Sequence, residues 1–306
     1  GRPMHETFHE FAFYVLRTTF GQDWRDEQDK LDEKDRHILL KWIRSFKKLK
    51  DDNATEENQD DEHLWSAEMT GDVRALMQFS YDVYCLQQIR KLPEFLIKKL
   101  KNYNDFQGAR YEVAVAAMIA RAGFEIEFLD DKCGQERHCE FYATHKNTKI
   151  KYGVEAKSRH RKGVMHQKGE FDPDRDFKGD IKNLLLKAIR QKPEDLPFMI
   201  FIDLNLPHSS EPDFRKKKWF PDIKKILDER GVPTDEKPDP FNGLFLTNFA
   251  YYYSGEDEIA LGGEYIGIIS MNPLTKVYKN PPVQDIEPIE AVKDSVDRYS
   301  VIPKEL

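Results

Sequence analysis

The chain has 306 residues, of which 39% are hydrophobic, 12% aromatic and 34% charged, enough for a sizeable core and for more than one structural part. No run of about 18 apolar residues occurs, so no membrane span is expected. Three cysteines (Cys85, Cys133, Cys139) are too few and too unevenly placed for a disulfide framework, which points to a reducing cytoplasm. The net charge of −7 arises from one stretch, since Asp51 to Glu62 holds seven acidic residues and no basic one. Phosphate binding depends on where Lys and Arg lie, so this total neither supports nor excludes a nucleic-acid partner.

The first hundred residues read as helical. Phe8, Phe11, Ala12, Val15 and Leu16 recur with helical spacing, as do Leu39, Trp42, Ile43 and Phe46 in a helix started by Asp35 or a neighbour. The acidic segment 51–62 reads as an exposed connection. A third helix carries Val73, Leu76, Met77, Tyr81 and Tyr84. In a fourth, bearing Phe95, Leu96 and Leu100, Pro93 suits the first turn. From about residue 104 the pattern changes. A helix from Gly108 to Arg121 precedes short β-like runs at 124–129, 138–144, 150–157, 198–206, 244–249 and 265–270. Helical patterns around Ile181–Ile189 and Ile223–Leu227 interrupt them. Strands alternating with helices imply an α/β fold with a mixed sheet flanked by helices, with 198–206 as its most buried strand. The expected parts are a helical region (1–103), an α/β domain (104–272) and a Pro-rich extension (273–306) laid over the surface.

The chemistry concentrates in Val154-Glu155-Ala156-Lys157. Strand alternation puts Glu155 and Lys157 on one side and Val154 and Ala156 on the other. In His138-Cys139-Glu140-Phe141 the same rule turns Glu140 away from Cys139 and Phe141. If the two strands pair as a hairpin around Asn147, both carboxylates face one point. Two hard oxygen ligands and a backbone carbonyl are what Mg²⁺ takes from a protein when water and phosphate complete its shell. The bland alternative is a solvated Glu155–Lys157 pair on an edge strand.

Glu140 followed by Glu155-Ala156-Lys157 resembles the acid…(Asp/Glu)-X-Lys signature of the PD-(D/E)xK, or restriction-endonuclease-like, nuclease superfamily. The order helix, acid-bearing strands, helix, buried strand is similar as well. The resemblance covers roughly residues 104–270. It implies that Glu140, Glu155 and the Ala156 carbonyl bind Mg²⁺ or Mn²⁺, and that Lys157 assists the attacking water. It also implies that an acid on the preceding helix completes the site, a role that Glu112 matches by position. Glu140 stands where Asp is commoner, and no proline precedes it. The implied activity is hydrolysis of DNA phosphodiester bonds, in restriction or defence against foreign DNA. RNA is an alternative substrate, and a nuclease-like fold used only for binding or assembly is an alternative function.

Basic residues follow the motif. Arg159, His160, Arg161 and Lys162 are expected to meet substrate phosphates, as are Lys216 and Lys217, with Trp219 available to stack a base. Lys182, Lys187 and Gln191 lie on a helix that places a polar side chain near the site in some family members. Zinc held by Cys133, His138, Cys139 and His145 is disfavoured, because no Cys-x-x-Cys pair exists and His138 and Cys139 would diverge on a strand. No Walker A, dinucleotide-binding or nucleophile-elbow motif occurs. The expected partners are DNA, a protein docking on the helical region, and a second copy where both strands of a duplex are cut.

Overall fold

The computed structural model describes residues 8–54, 66–89, 92–129, 138–165, 167–229, 231, 239–260, 264–271, 287–299 and 301. Five helices lead: α1 (Phe8–Phe20), α2 (Gln22–Asp29), α3 (Ile38–Asn53), α4 (Gly71–Ile89) and α5 (Glu94–Lys101). The apolar stripes set their packing, with Phe11, Val15 and Leu16 of α1 and Leu39 and Trp42 of α3 all buried. His37, not Asp35, starts α3, because its ring Nδ1 accepts from the Leu39 amide at 3.3 Å. Pro93 is the residue before α5 rather than part of its first turn. The stripe rule gave no sign of α2, which buries no residue. Asp51 and Asp52 belong to the last turn of α3. Residues 55–62 of the acidic stretch, Cys133, and Pro273, Pro281 and Pro282 lie outside the described residues.

Then come α6 (Phe106–Arg121), β1 (Phe124–Phe128), β2 (Phe141–His145), β3 (Lys151–Ser158), α7 (Pro173–Asp176) and α8 (Lys182–Ile189). After these follow β4 (Phe198–Asp203), α9 (Phe220–Asp228), β5 (Gly243–Asn248), β6 (Glu264–Met271) and α10 (Glu287–Asp297). The six strands stand in sequence order in one mixed sheet. Strands β1, β2 and β3 are antiparallel neighbours, β3, β4 and β5 are parallel, and β6 returns antiparallel to β5. The expected hairpin between β2 and β3 is present, turning through Asn147.

Every residue of β4 is buried, as a central strand covered on both faces requires. Met199 and Phe201 point into a core shared with Val154, Ala156, α6 and the N-terminal helices. Phe198, Ile200 and Ile202 point into a second core with Ile181, Leu185 and Ala188 of α8 and Trp219 and Ile223 around α9. The sheet therefore lies between two helical layers. The helices before residue 104 share the first core with the sheet.

The C-terminal end corrects the expectation of a surface wrap. Ile289, Val292 and Val296 of α10 are fully buried, so this segment completes the first core. Their i, i+3, i+7 spacing is a helical stripe that the prolines before it obscured. The anchor of α10 is polar: the Tyr299 hydroxyl donates to Asp82 of α4. Asp82 also accepts from Gln78 Nε2 at 3.2 Å and lies 3.9 Å from Arg121. Burial pushes the Asp82 carboxyl up to about 7, although Arg121 and Tyr299 pull it down. The folded protein thus keeps a proton that the unfolded chain releases, and stability falls as pH rises from the ordinary carboxylate range to about 7. Asp82→Asn is expected to reduce that pH slope, checked by urea unfolding at several pH values across the window. An unchanged slope would mean that Asp82 does not titrate there.

Candidate active site

The site lies where β2 begins, beside β3. Phe141 pairs with Val154, and the Glu140 amide, one residue before β2, extends the ladder by donating to the Val154 carbonyl at 3.1 Å. Glu140 consequently stands across from Glu155. On its other edge β3 pairs with β4, with Glu155 beside Ile200 and Lys157 beside Ile202, so both point toward the α8 layer. Regular alternation begins only at Phe141. Cys139 packs in the same core as Ile200, on the face of Glu155 rather than opposite Glu140 as alternation implied. Gly153 sits on that face too, where a Cβ would come within 2.6 Å of Pro193 Cγ, so its bareness lets the segment after α8 close on the sheet.

Both carboxylates converge on one ammonium. Lys157 Nζ lies 3.0 Å from Glu140 Oε1 and in contact with Glu155 Oε1. The Glu155 side chain is only 1% exposed, against 19% for Glu140 and 23% for Lys157. Neither Glu155 oxygen has a well-directed hydrogen bond, despite the lysine contact. A buried carboxylate in that condition is costly unless a cation meets it. Burial, then the charge of Glu140, raises the Glu155 pKa well above the carboxylate range; Lys157 opposes this and Glu112 adds to it. For Lys157, burial works against the charge, but Glu155 and Glu140 outweigh it and raise the pKa.

Glu112 sits on α6, which packs against the Val154 and Ala156 face, and lies 3.7 Å from Lys99 of α5. Its charge is felt at Glu155, but the structure brings together Glu140, Glu155 and Lys157 rather than all four. The Val154 carbonyl points toward β2. The Ala156 carbonyl, two residues on, points the same way, past the last ladder bond. Among the described residues no group of three or more His, Cys, Asp or Glu side chains could hold a metal ion. The donors that the structure brings together are the two carboxylates, with this carbonyl on the neighbouring strand edge. Hard oxygens in that number suit a Mg²⁺ or Mn²⁺ ion that keeps most of its shell for water and phosphate. The Glu155 oxygens, met by the lysine without a well-directed hydrogen bond, fit that role.

Metal binding requires ionised acids, so the raised Glu155 pKa sets a pH dependence. Mn²⁺ affinity is expected to climb steadily with pH through the neutral range, whereas ordinary carboxylates would be fully ionised above about pH 6. Isothermal titration at a series of pH values checks this, and a flat profile would contradict it.

Behind Lys157 the chain is held by a buried polar cluster that the sequence reading missed. Ser158 Oγ donates to Asp203 Oδ2 at 3.2 Å, and Arg110 of α6 meets the same oxygen at 3.1 Å. Gln107 Nε2 and Asn205 Nδ2 both donate to the Arg159 carbonyl, at 3.0 and 2.9 Å. These bonds fix the direction of the strand end that carries the lysine.

The expected basic contacts divide. Arg161 is buried, its guanidinium bound to the carbonyls of Leu204, Asp176 and Lys178 and to Asp180, so it braces the loop and does not meet substrate. Lys217 is buried near the Ser209 carbonyl, and Trp219 is fully buried, so neither can contact a nucleic acid as expected. Arg161 is claimed by carbonyls 15 to 43 residues away, and Trp219 by a core drawn from α8 and β4. Lys162 and Lys216 are exposed. Arg159 pairs with Asp180, and burial followed by the nearby Arg159 and Arg110 lowers the His160 pKa.

A groove of about 600 Å³ opens beside Lys157. Ser158, Arg159 and His160 form one side, and Leu184, Lys187, Arg190 and Gln191 of α8 and its end form the other. Lys187 and Gln191 were marked in the sequence without a role and Arg190 was not marked. Lys182 faces elsewhere, 2.7 Å from Glu229. No helix among the described residues is long and apolar enough to cross a membrane. Comparison with known proteins returns no matching family model, curated protein or solved structure.

Proposed function

We propose that the chain is a metal-dependent nuclease of the restriction-endonuclease-like PD-(D/E)xK type, hydrolysing DNA phosphodiester bonds with Mg²⁺ or Mn²⁺. The observation that carries this reading is the convergence of Glu140 and Glu155, from two adjacent strands, on Lys157. Glu140, Glu155 and the Ala156 carbonyl would hold the ion, with the charge of Glu112 behind them. A bound divalent ion supplies polarisation of the phosphoryl oxygen and a nucleophilic hydroxide at neutral pH. Lys157 neutralises the acids until metal and substrate enter. It then holds the attacking water and offsets the charge that builds on phosphorus. Burial of Glu155 keeps bulk water from weakening these interactions. A role in restriction or defence against foreign DNA follows only by analogy of fold.

The test is incubation with plasmid and linear DNA in Mg²⁺ or Mn²⁺, with RNA in parallel. Cleavage is expected to vanish in Glu155→Ala and Lys157→Met proteins; cleavage that persists in both would overturn the assignment. One observation favours a second reading, a nuclease-like binding module that does not cut. The lysine already satisfies both acids as an internal ion triad. Lys157→Met separates the two. In a nuclease it binds Mn²⁺ at least as tightly as the unaltered protein, because a competing cation is gone, and still fails to cleave. In a silent module neither protein binds the ion.

A further inference from the structure

Helix α8 carries two cations that the fold itself does not use. Lys187 and Arg190 are three residues apart, on one exposed side of the helix and its end. Neither forms an ion pair with a described residue, whereas Lys182, Lys224 and Arg159 are paired with Glu229, Asp228 and Asp180. Basic residues near a helix C-terminus are favoured by the helix dipole, which accounts for one or both being there. The dipole does not account for what faces them. Across the groove stand Arg159, His160 and Lys157, and no acidic side chain among the described residues lines the space. Lys157 and Arg159 are already met by Glu140, Glu155 and Asp180, so the positive charge that the groove offers to a ligand comes from Lys187 and Arg190. Leu185 and Ala188 fix the inner face of α8 in the core against β3 and β4, so the outer face is held rigidly beside Lys157. Among the described residues no Trp, Tyr or Phe lines the groove, so these offer no platform on which bases stack.

We propose that α8 is a phosphate-backbone-binding surface, in which Lys187 and Arg190 grip consecutive phosphates of a nucleic acid and lead its strand to Lys157. This rests on the nuclease reading for the destination of the strand, but not for the binding itself. The ligand is a polyanion of at least two phosphates, held by its backbone and not read by base. Lys187 and Arg190 are binding residues; they take no part in the chemical step.

The experiment is fluorescence anisotropy with a labelled duplex DNA in metal-free buffer, where no cleavage occurs, over a series of salt concentrations. The doubly substituted Lys187→Ala/Arg190→Ala protein is expected to bind more weakly, with a slope of log affinity against log salt shallower by about two. Two duplexes of unrelated sequence are expected to bind alike. Lys182→Ala/Lys224→Ala, which removes exposed cations outside the groove, is expected to leave the slope unchanged. An unaltered slope in the Lys187/Arg190 variant, an equal loss in the Lys182/Lys224 variant, or affinity that depends on sequence would overturn the proposal. Matching thermal melts of the two variants separate lost binding from lost folding. If the slope falls as expected while the unaltered protein never cuts DNA, the binding surface stands and the nuclease reading fails. If DNA is cut while the slope does not change, the reverse holds.

Discussion

Glu155→Gln is expected to lose cleavage by about 10²–10³-fold or more while remaining at least as stable as the unaltered protein at neutral pH. The loss follows from removing the most buried charge of the acid pair, whose two oxygens have no well-directed partner in the fold. The stability follows from the same burial. Burial and the charge of Glu140 raise the Glu155 pKa, so the folded state holds a proton that the unfolded chain gives up. Stability then falls as pH rises from the ordinary carboxylate range toward the folded value, and the fold bears the cost of the ionised form above it. A neutral amide of the same shape removes that cost, and Lys157 keeps Glu140 at 3.0 Å. The advantage of the variant should grow with pH, which urea unfolding without divalent ions at pH 5 and 8 would show. A variant less stable than the unaltered protein at the higher pH would mean that the Glu155 charge is an asset to the fold rather than a strain on it.

Arg110→Ala is expected to be the most destabilising single change near the site, costing about 3–5 kcal/mol. Arg110 and Asp203 are 2% and 0% exposed, and removing the cation leaves the carboxylate buried without its main partner. The guanidinium also lies 4.6 Å from the Tyr252 ring and 5.3 Å from that of Phe249, so packing is lost with the charge. Asp203 accepts from Ser158 and from the Asn205 amide, which carries the damage to the residue beside Lys157. Urea unfolding checks the magnitude. Arg110→Met combined with Asp203→Asn removes both charges and keeps an acceptor for Ser158, so it should lose less than Arg110→Ala alone. A double variant no better than the single one would place the cost in packing rather than in the orphaned charge.

The parts of the molecule legible in the sequence are those set by local periodicity. The stripes of α1, α3 and α4 gave buried residues of each, and strand alternation gave Glu155 and Lys157 their common side. The turn at Asn147 gave the β2–β3 pairing that brings Glu140 across from Glu155. What was not legible depends on partners far along the chain. Arg110 lies on a helix face where nothing local marks a buried cation; its carboxylate is 93 residues away. Arg161 looked like a substrate contact because the carbonyls that claim it come from residues 176, 178 and 204. Lys187 and Arg190 became groove residues only once α8 packed against β3 and β4. Helix α10 was hidden because prolines precede its stripe, while α2 has no buried stripe to read.

The central claim is that Glu140 and Glu155 form one divalent-cation site. Calorimetric titration with Mn²⁺ in the absence of DNA tests it most directly. The expected result is binding by the unaltered protein that is lost in both Glu140→Ala and Glu155→Gln and retained in Lys157→Met. Equal binding by the unaltered protein and Glu155→Gln, or no binding by the unaltered protein, would contradict it.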